Sequence, residues 1–106
     1  MSRYRLTSKA VADLSEIWSY IARDNVAAAD RVETAIYSAC SFIAEHPFSG
    51  HVRRDLTSLP VRFWSIVRFP SYVIVYDPKG EPTDIIRILH RAMNIARQLQ
   101  GPMQSS

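Results

Sequence analysis

The sequence predicts a single α+β domain: an N-terminal strand, an antiparallel helix hairpin packed on a small, mainly antiparallel sheet, and a short C-terminal helix. Three observations carry this prediction. Apolar residues recur at three- and four-residue spacing through the first half of the chain. Branched and aromatic residues run in short segments through the second half. The loop Pro47-Phe48-Ser49-Gly50-His51-Val52-Arg53-Arg54-Asp55-Leu56 stands between the two. With no linker, repeat or low-complexity tract, 106 residues make one domain, long enough to bury roughly 65% of the surface its unfolded chain exposes.

Tyr4-Arg5-Leu6 reads as a first strand, ended by Thr7-Ser8, either of which can cap a following helix. In that helix Val11, Leu14, Ile17, Trp18 and Ile21 form one stripe, with Asp13, Glu16, Ser19 and Arg23 outside it. Trp18 is expected in the core and Tyr20 at its rim. Asp24-Asn25 breaks the helix and caps a second, whose apolar face is Ala28, Val32, Ala35, Ile36, Ala39, Cys40 and Ile43. Pro47 stops it, because the residue before proline is pushed out of the helical region. A short link between two such helices makes a hairpin.

Val61 to Phe69 reads as a strand with prolines at its entry and exit, and Tyr72-Val73-Ile74-Val75-Tyr76 as the next. Asp77-Pro78-Lys79-Gly80 is a turn, and a third strand runs from Asp84 to about His90. Arg91 to Gln100 can form a short helix stopped by Gly101-Pro102, leaving residues 1–99 as the ordered core and 100–106 as a fraying tail. These strands are apolar on both faces, and a helix hairpin covers only one. The second face therefore calls for cover, from the C-terminal segment and from another chain.

Composition excludes more than it identifies. A hydrophobic fraction of 47% with 22% charged residues belongs to a folded domain. No apolar stretch follows Met1-Ser2-Arg3-Tyr4-Arg5, so a cytoplasmic protein without membrane contact is expected. Cys40 is the only cysteine, which rules out an internal disulfide, and its place on an apolar stripe makes it a buried thiol. His46, His51 and His90 lack metal-ligand spacing, and no Gly-x-Ser-x-Gly elbow is present. The net charge of +3 divides into −1 over residues 1–50 and +4 over residues 51–106, and eleven of the thirteen cations are arginine. Arginine's planar fork suits phosphate and carboxylate partners.

Arg53, Arg62, Arg68, Arg87, His90 and Arg91 could form a cationic surface at the sheet edge, with His90 able to move protons near neutral pH. Local roles compete with this: Arg53 can pair with Asp55, Arg87 can snorkel from its strand and His90 can cap a strand end. Phe63, Trp64, Phe69, Tyr72 and Tyr76 alternate with arginines in a way that superficially suits base stacking, yet their spacing fits packing and interface filling better.

Five segments in order give the chain a resemblance to the ParE branch of the RelE/ParE toxin superfamily. They are Ser8-x-Ala10-x-x-Asp13-Leu14-x-x-Ile17-Trp18-x-Tyr20-Ile21-Ala22; Ala28-Ala29-Asp30-Arg31; Pro47-x-x-Gly50-x-x-Arg53-x-Asp55-Leu56; Val61-Arg62-x-Trp64 with Tyr72 to Tyr76; and Ile86-Arg87-Ile88-Leu89-His90. After the last strand the family usually continues His-Gly-Ala-Arg-Asp, where this chain has His90-Arg91-Ala92-Met93-Asn94. The resemblance implies the toxin of a type II toxin-antitoxin system, held in a hetero-oligomer by a ParD-like antitoxin. It also implies poisoning of DNA gyrase without catalysis or cofactor, with DNA met only through antitoxin or gyrase. Arg53, Arg62, Arg87, His90 and Arg91 are then the expected target-binding residues. Trp64, Tyr72 and Ile74 are expected in an apolar groove that the antitoxin's tail covers. Two alternatives are a RelE-like ribosome-dependent mRNA endonuclease using Arg53, Arg87 and His90, and an inert homologue that only co-represses with its antitoxin.

Overall fold

A computed structural model describes residues 3–100. The elements are β1 (Tyr4–Leu6), α1 (Ser8–Ala22), α2 (Val26–Glu45), β2 (Arg62–Ser65), β3 (Tyr72–Asp77), β4 (Thr83–His90) and α3 (Ile95–Gln98). The sheet order is β1-β4-β3-β2. β2, β3 and β4 form an antiparallel meander, while β1 lies parallel to β4 and makes the sheet mixed.

Local chemistry sets the helix starts as expected. The Thr7 hydroxyl accepts from the Ala10 N–H, and the Asn25 side chain accepts from the Ala28 N–H, so each helix begins on a side-chain cap. α2 ends at Glu45, two residues before Pro47. Two expected boundaries shift. β2 stops at Ser65 because its ladder ends at Ser65 opposite Val73, and the Phe69 N–H then turns back onto the Ile66 carbonyl. α3 begins only at Ile95, because the Met93 N–H closes a turn onto His90 and the Asn94 side chain caps the Arg97 N–H at 3.1 Å. Asn94 thus performs the capping task open equally to the acidic residue usual in the family pattern. The stop signal Gly101-Pro102, and the expected tail apart from Gln100, lie outside the described residues.

Two apolar layers enclose the sheet. On the helix side Leu14, Val32, Ile36, Cys40 and Ile43 meet Ile66, Ile74, Tyr76, Ile85 and Ile88. Trp18, expected in the core, is corrected: it is half-buried outside both apolar layers, where its indole N–H donates to Asp30 at 2.9 Å, and Tyr20, expected at the rim, is 68% exposed. On the opposite side Phe63, Val73, Val75 and Leu89 are buried under Val61 and Leu99, with Leu56 and Ile95 packed alongside. The second face is therefore covered from within the chain, by the residue 51–61 loop and the C-terminal segment together. The expectation that another chain covers that face is corrected.

β1 pairs with β4 only as far as Ile85, which leaves the edge of β4 open beyond it. Side chains at and within α1 take the place of the missing strand: the Thr7 hydroxyl donates to the Ile86 carbonyl, and the Asp13 carboxylate accepts from the Ile88 N–H at 3.0 Å. Buried backbone groups that would cost free energy unpaired are thereby satisfied.

Candidate functional site

The cationic residues expected to form one surface are divided among different local tasks. Arg87, 9% exposed, makes a two-point pair with Asp13 at 2.7 and 2.9 Å through its guanidinium, which also donates to the Gln98 carbonyl at 3.2 Å. The hydrogen bond to Asp13 holds the Arg87 pKa above its ordinary value. Arg87 ties α1, β4 and the end of α3 together. Arg62 donates to the Gly50 carbonyl at 2.8 Å and lies over the Phe48 ring at 5.1 Å, so it fastens the loop before β2. Both side chains are engaged locally, because an extended side chain on a strand reaches the nearest acceptors of its own fold.

Arg53 forms a bidentate pair with Asp55 at 2.7 and 2.9 Å, in the open, where solvent screens it. The bond lowers the Asp55 pKa and raises that of Arg53. The His90 Nδ1 accepts from the Ala92 N–H at 3.0 Å, and its ring meets Tyr72 edge-on at 5.2 Å. Arg91 is exposed, and its backbone N–H bonds the Ser71 carbonyl. Among the described residues no cluster of three His, Cys, Asp or Glu side chains could hold a metal ion.

Gly50 has a steric reason to be glycine. The Tyr76 hydroxyl accepts from the Gly50 N–H at 2.9 Å and donates to the Pro47 carbonyl at 2.7 Å. A Cβ on Gly50 would overlap that hydroxyl and lie 2.8 Å from the ring. Burial raises the Tyr76 pKa and keeps the phenol a donor. The glycine of the loop motif is thus a docking point for a core tyrosine.

An apolar concavity runs along α2. It is a trough of about 920 Å³, walled on one side by Arg31, Ala35, Ser38 and Phe42 and on the other by Trp64 and the residue 66–69 turn. Trp64 stands 5.1 Å from Phe42, and the Phe42 ring in turn lies 4.7 Å from His46. Val67 is 80% exposed at the lip and Phe42 40%. Of the three residues expected in an apolar groove, Trp64 is in this one. Tyr72 is half-buried against the helix-side core, and Ile74 is fully buried there, opposite Trp64 in the ladder. Ile74 is corrected to a core residue: β3 is an inner strand under the helices, whereas β2 is the sheet edge and its Trp64 emerges past α2. Sequence reasoning missed Arg31, Phe42 and Val67. The signal was present in α2, where Arg31, Ala35, Ser38 and Phe42 recur at helical spacing beside the core stripe.

The family model described as ParE toxin of type II toxin-antitoxin system, parDE, matches residues 4–95. The toxin ParE1 of Caulobacter vibrioides is 35% identical over 100 residues, spanning 93% of this chain and 99% of that protein. A solved structure of a chromosomal ParDE toxin-antitoxin system from P. aeruginosa has the same fold, with a TM-score of 0.67 at 24% identity, covering 85% of this chain and 96% of the other.

Proposed function

Since the chain belongs to the ParE toxin family of type II toxin-antitoxin systems, we propose that it is neutralised by a ParD-like antitoxin and, when released, poisons DNA gyrase by binding, without cleaving a substrate itself. Such a protein works in the cytoplasm and meets DNA through gyrase or antitoxin. No helix among the described residues is long and apolar enough to cross a membrane.

The observation that carries the binding reading is the commitment of Arg87. A nuclease built on Arg53, Arg87 and His90 needs their polar atoms directed at one scissile phosphate. The Arg87 fork is instead occupied by Asp13 beneath the surface, and His90 Nδ1 by a backbone N–H.

The test mixes purified toxin with DNA gyrase and supercoiled plasmid, then denatures and digests the mixture to expose trapped breaks. Linear DNA that depends on both proteins is the expected result. Its absence, with gyrase shown active by a known poison, overturns the gyrase reading; cleavage of mRNA on ribosomes by the same preparation would replace it with the nuclease reading.

A further inference from the structure

The two sides of the sheet carry opposite charge. The helix hairpin on one side, residues 8–45, holds six carboxylates against three cations, and one of the six, Asp13, is neutralised by Arg87. The residue 51–61 loop and the residue 91–100 segment close the other side over Phe63, Val73, Val75 and Leu89, and together they hold four arginines and a single carboxylate. That carboxylate, Asp55, is taken by Arg53 in a two-point pair. Arg54, Arg91 and Arg97 are left exposed, and none of them forms an ion pair with a described residue. The two segments lie far apart in sequence and are joined by the layer beneath them, on which Leu56, Ile95 and Leu99 all pack. Uncompensated cations gathered over one side of a small domain repel one another and raise its attraction for a polyanion.

We propose that Arg54, Arg91 and Arg97 grip the phosphate backbone of duplex DNA, the segment that gyrase holds. The inference rests on the gyrase reading above for the source of that DNA, and it gives the toxin a direct, sequence-independent hold on it. A guanidinium fork matches phosphate oxygens in two-point geometry. A duplex presents one charge per roughly 1.7 Å of its axis, so long exposed side chains spread over a face find phosphates in any register, whereas an acidic protein surface must match them one by one. The acidic helix hairpin turns away from the DNA, which fixes the side from which the toxin approaches.

The experiment measures binding of the full-length toxin to two unrelated DNA duplexes over a range of salt concentrations, with no gyrase present, and then repeats the trapped-break assay with gyrase. Three phosphate contacts give a slope of log affinity on log salt of about −2.7. Arg54→Gln, Arg91→Gln and Arg97→Gln should each weaken binding equally on both duplexes and flatten the slope by about one. Arg23→Gln, at the end of α1 where Arg23 lies 5.5 Å from the centre of the Tyr20 ring, removes the same charge from the helix side and should leave the slope unchanged. Circular dichroism melts confirm that these exposed substitutions leave the fold intact. Wild-type toxin that does not bind either duplex at low salt overturns the inference, whatever gyrase does. Flattening by Arg23→Gln equal to that of the other three overturns the assignment to this face. Trapped breaks lost in the triple variant while its DNA binding stays at the wild-type level would mean that the face meets an acidic protein surface, which also overturns it. DNA binding that follows the expected pattern with no trapped breaks in wild type sinks the gyrase reading and supports the phosphate grip.

Discussion

Tyr76 shows how a single hydroxyl fixes a loop. It lies in the helix-side core with no exposed surface, yet its oxygen bridges the Gly50 N–H and the Pro47 carbonyl. Tyr76→Phe keeps the ring and strips both partners, which leaves a buried donor unpaired and costs about 1–3 kcal/mol. Gly50→Ala drives a methyl into the hydroxyl and the ring edge, with an overpacking cost of about 1–3 kcal/mol. In the double variant the hydroxyl that the added methyl would strike is gone, so the combined loss should be smaller than the sum of the two. Urea unfolding of the four proteins measures this coupling. Additivity to within about 0.5 kcal/mol would show that the two residues do not act on each other. Gly50 was legible as a loop glycine from its neighbours Pro47 and Ser49. Its partner was not, because the tyrosine that demands it lies 26 residues further along the chain.

At the level of elements, the helix starts and the hairpin were legible because caps, stripes and Pro47 are local signals. The parallel pairing of β1 with β4 was not, since it joins Tyr4 to Thr83 across most of the chain and leaves no local pattern. That pairing also explains Asp13. Three elements converge on its carboxylate: α1 carries it, β4 offers the Ile88 N–H and the Arg87 fork, and Arg87 passes on to the Gln98 carbonyl at the end of α3. The two side chains are 11% and 12% exposed. Asp13→Ala leaves a guanidinium largely buried without its counter-charge, and a loss of about 3–5 kcal/mol is expected. The double replacement Asp13→Leu with Arg87→Met removes both charges and should unfold at a higher urea concentration than Asp13→Ala alone. If the single variant instead keeps the wild-type midpoint, the pair does not tie the elements together. The partners of Arg87 and Arg62 were illegible for the same reason: only the fold supplies the carboxylate and carbonyls that hold them.

For the molecule as a whole, both faces of the sheet had to be covered, and the sequence showed that need without showing how it is met. The second layer is thin. Phe63, Val73, Val75 and Leu89 are capped by a loop, a helix of four residues and Leu99, which is 4% exposed. So small a helix has no stability of its own and is held by what it buries. Ending the chain at Asn94 removes Ile95 and Leu99 together and opens an apolar patch over the two central strands. The truncated protein should bind the dye ANS strongly, self-associate at micromolar concentration and unfold earlier than the full chain. Leu99→Ala, which leaves the backbone and the Arg87 bond to Gln98 in place, isolates the packing contribution and should cost about 2–5 kcal/mol. Truncated protein that stays monomeric, leaves ANS dark and keeps its melting temperature would mean that the residue 51–61 loop seals the face alone. A loss in the truncation well beyond that in Leu99→Ala would show that α3 and its tie to Arg87 hold the sheet closed as a unit.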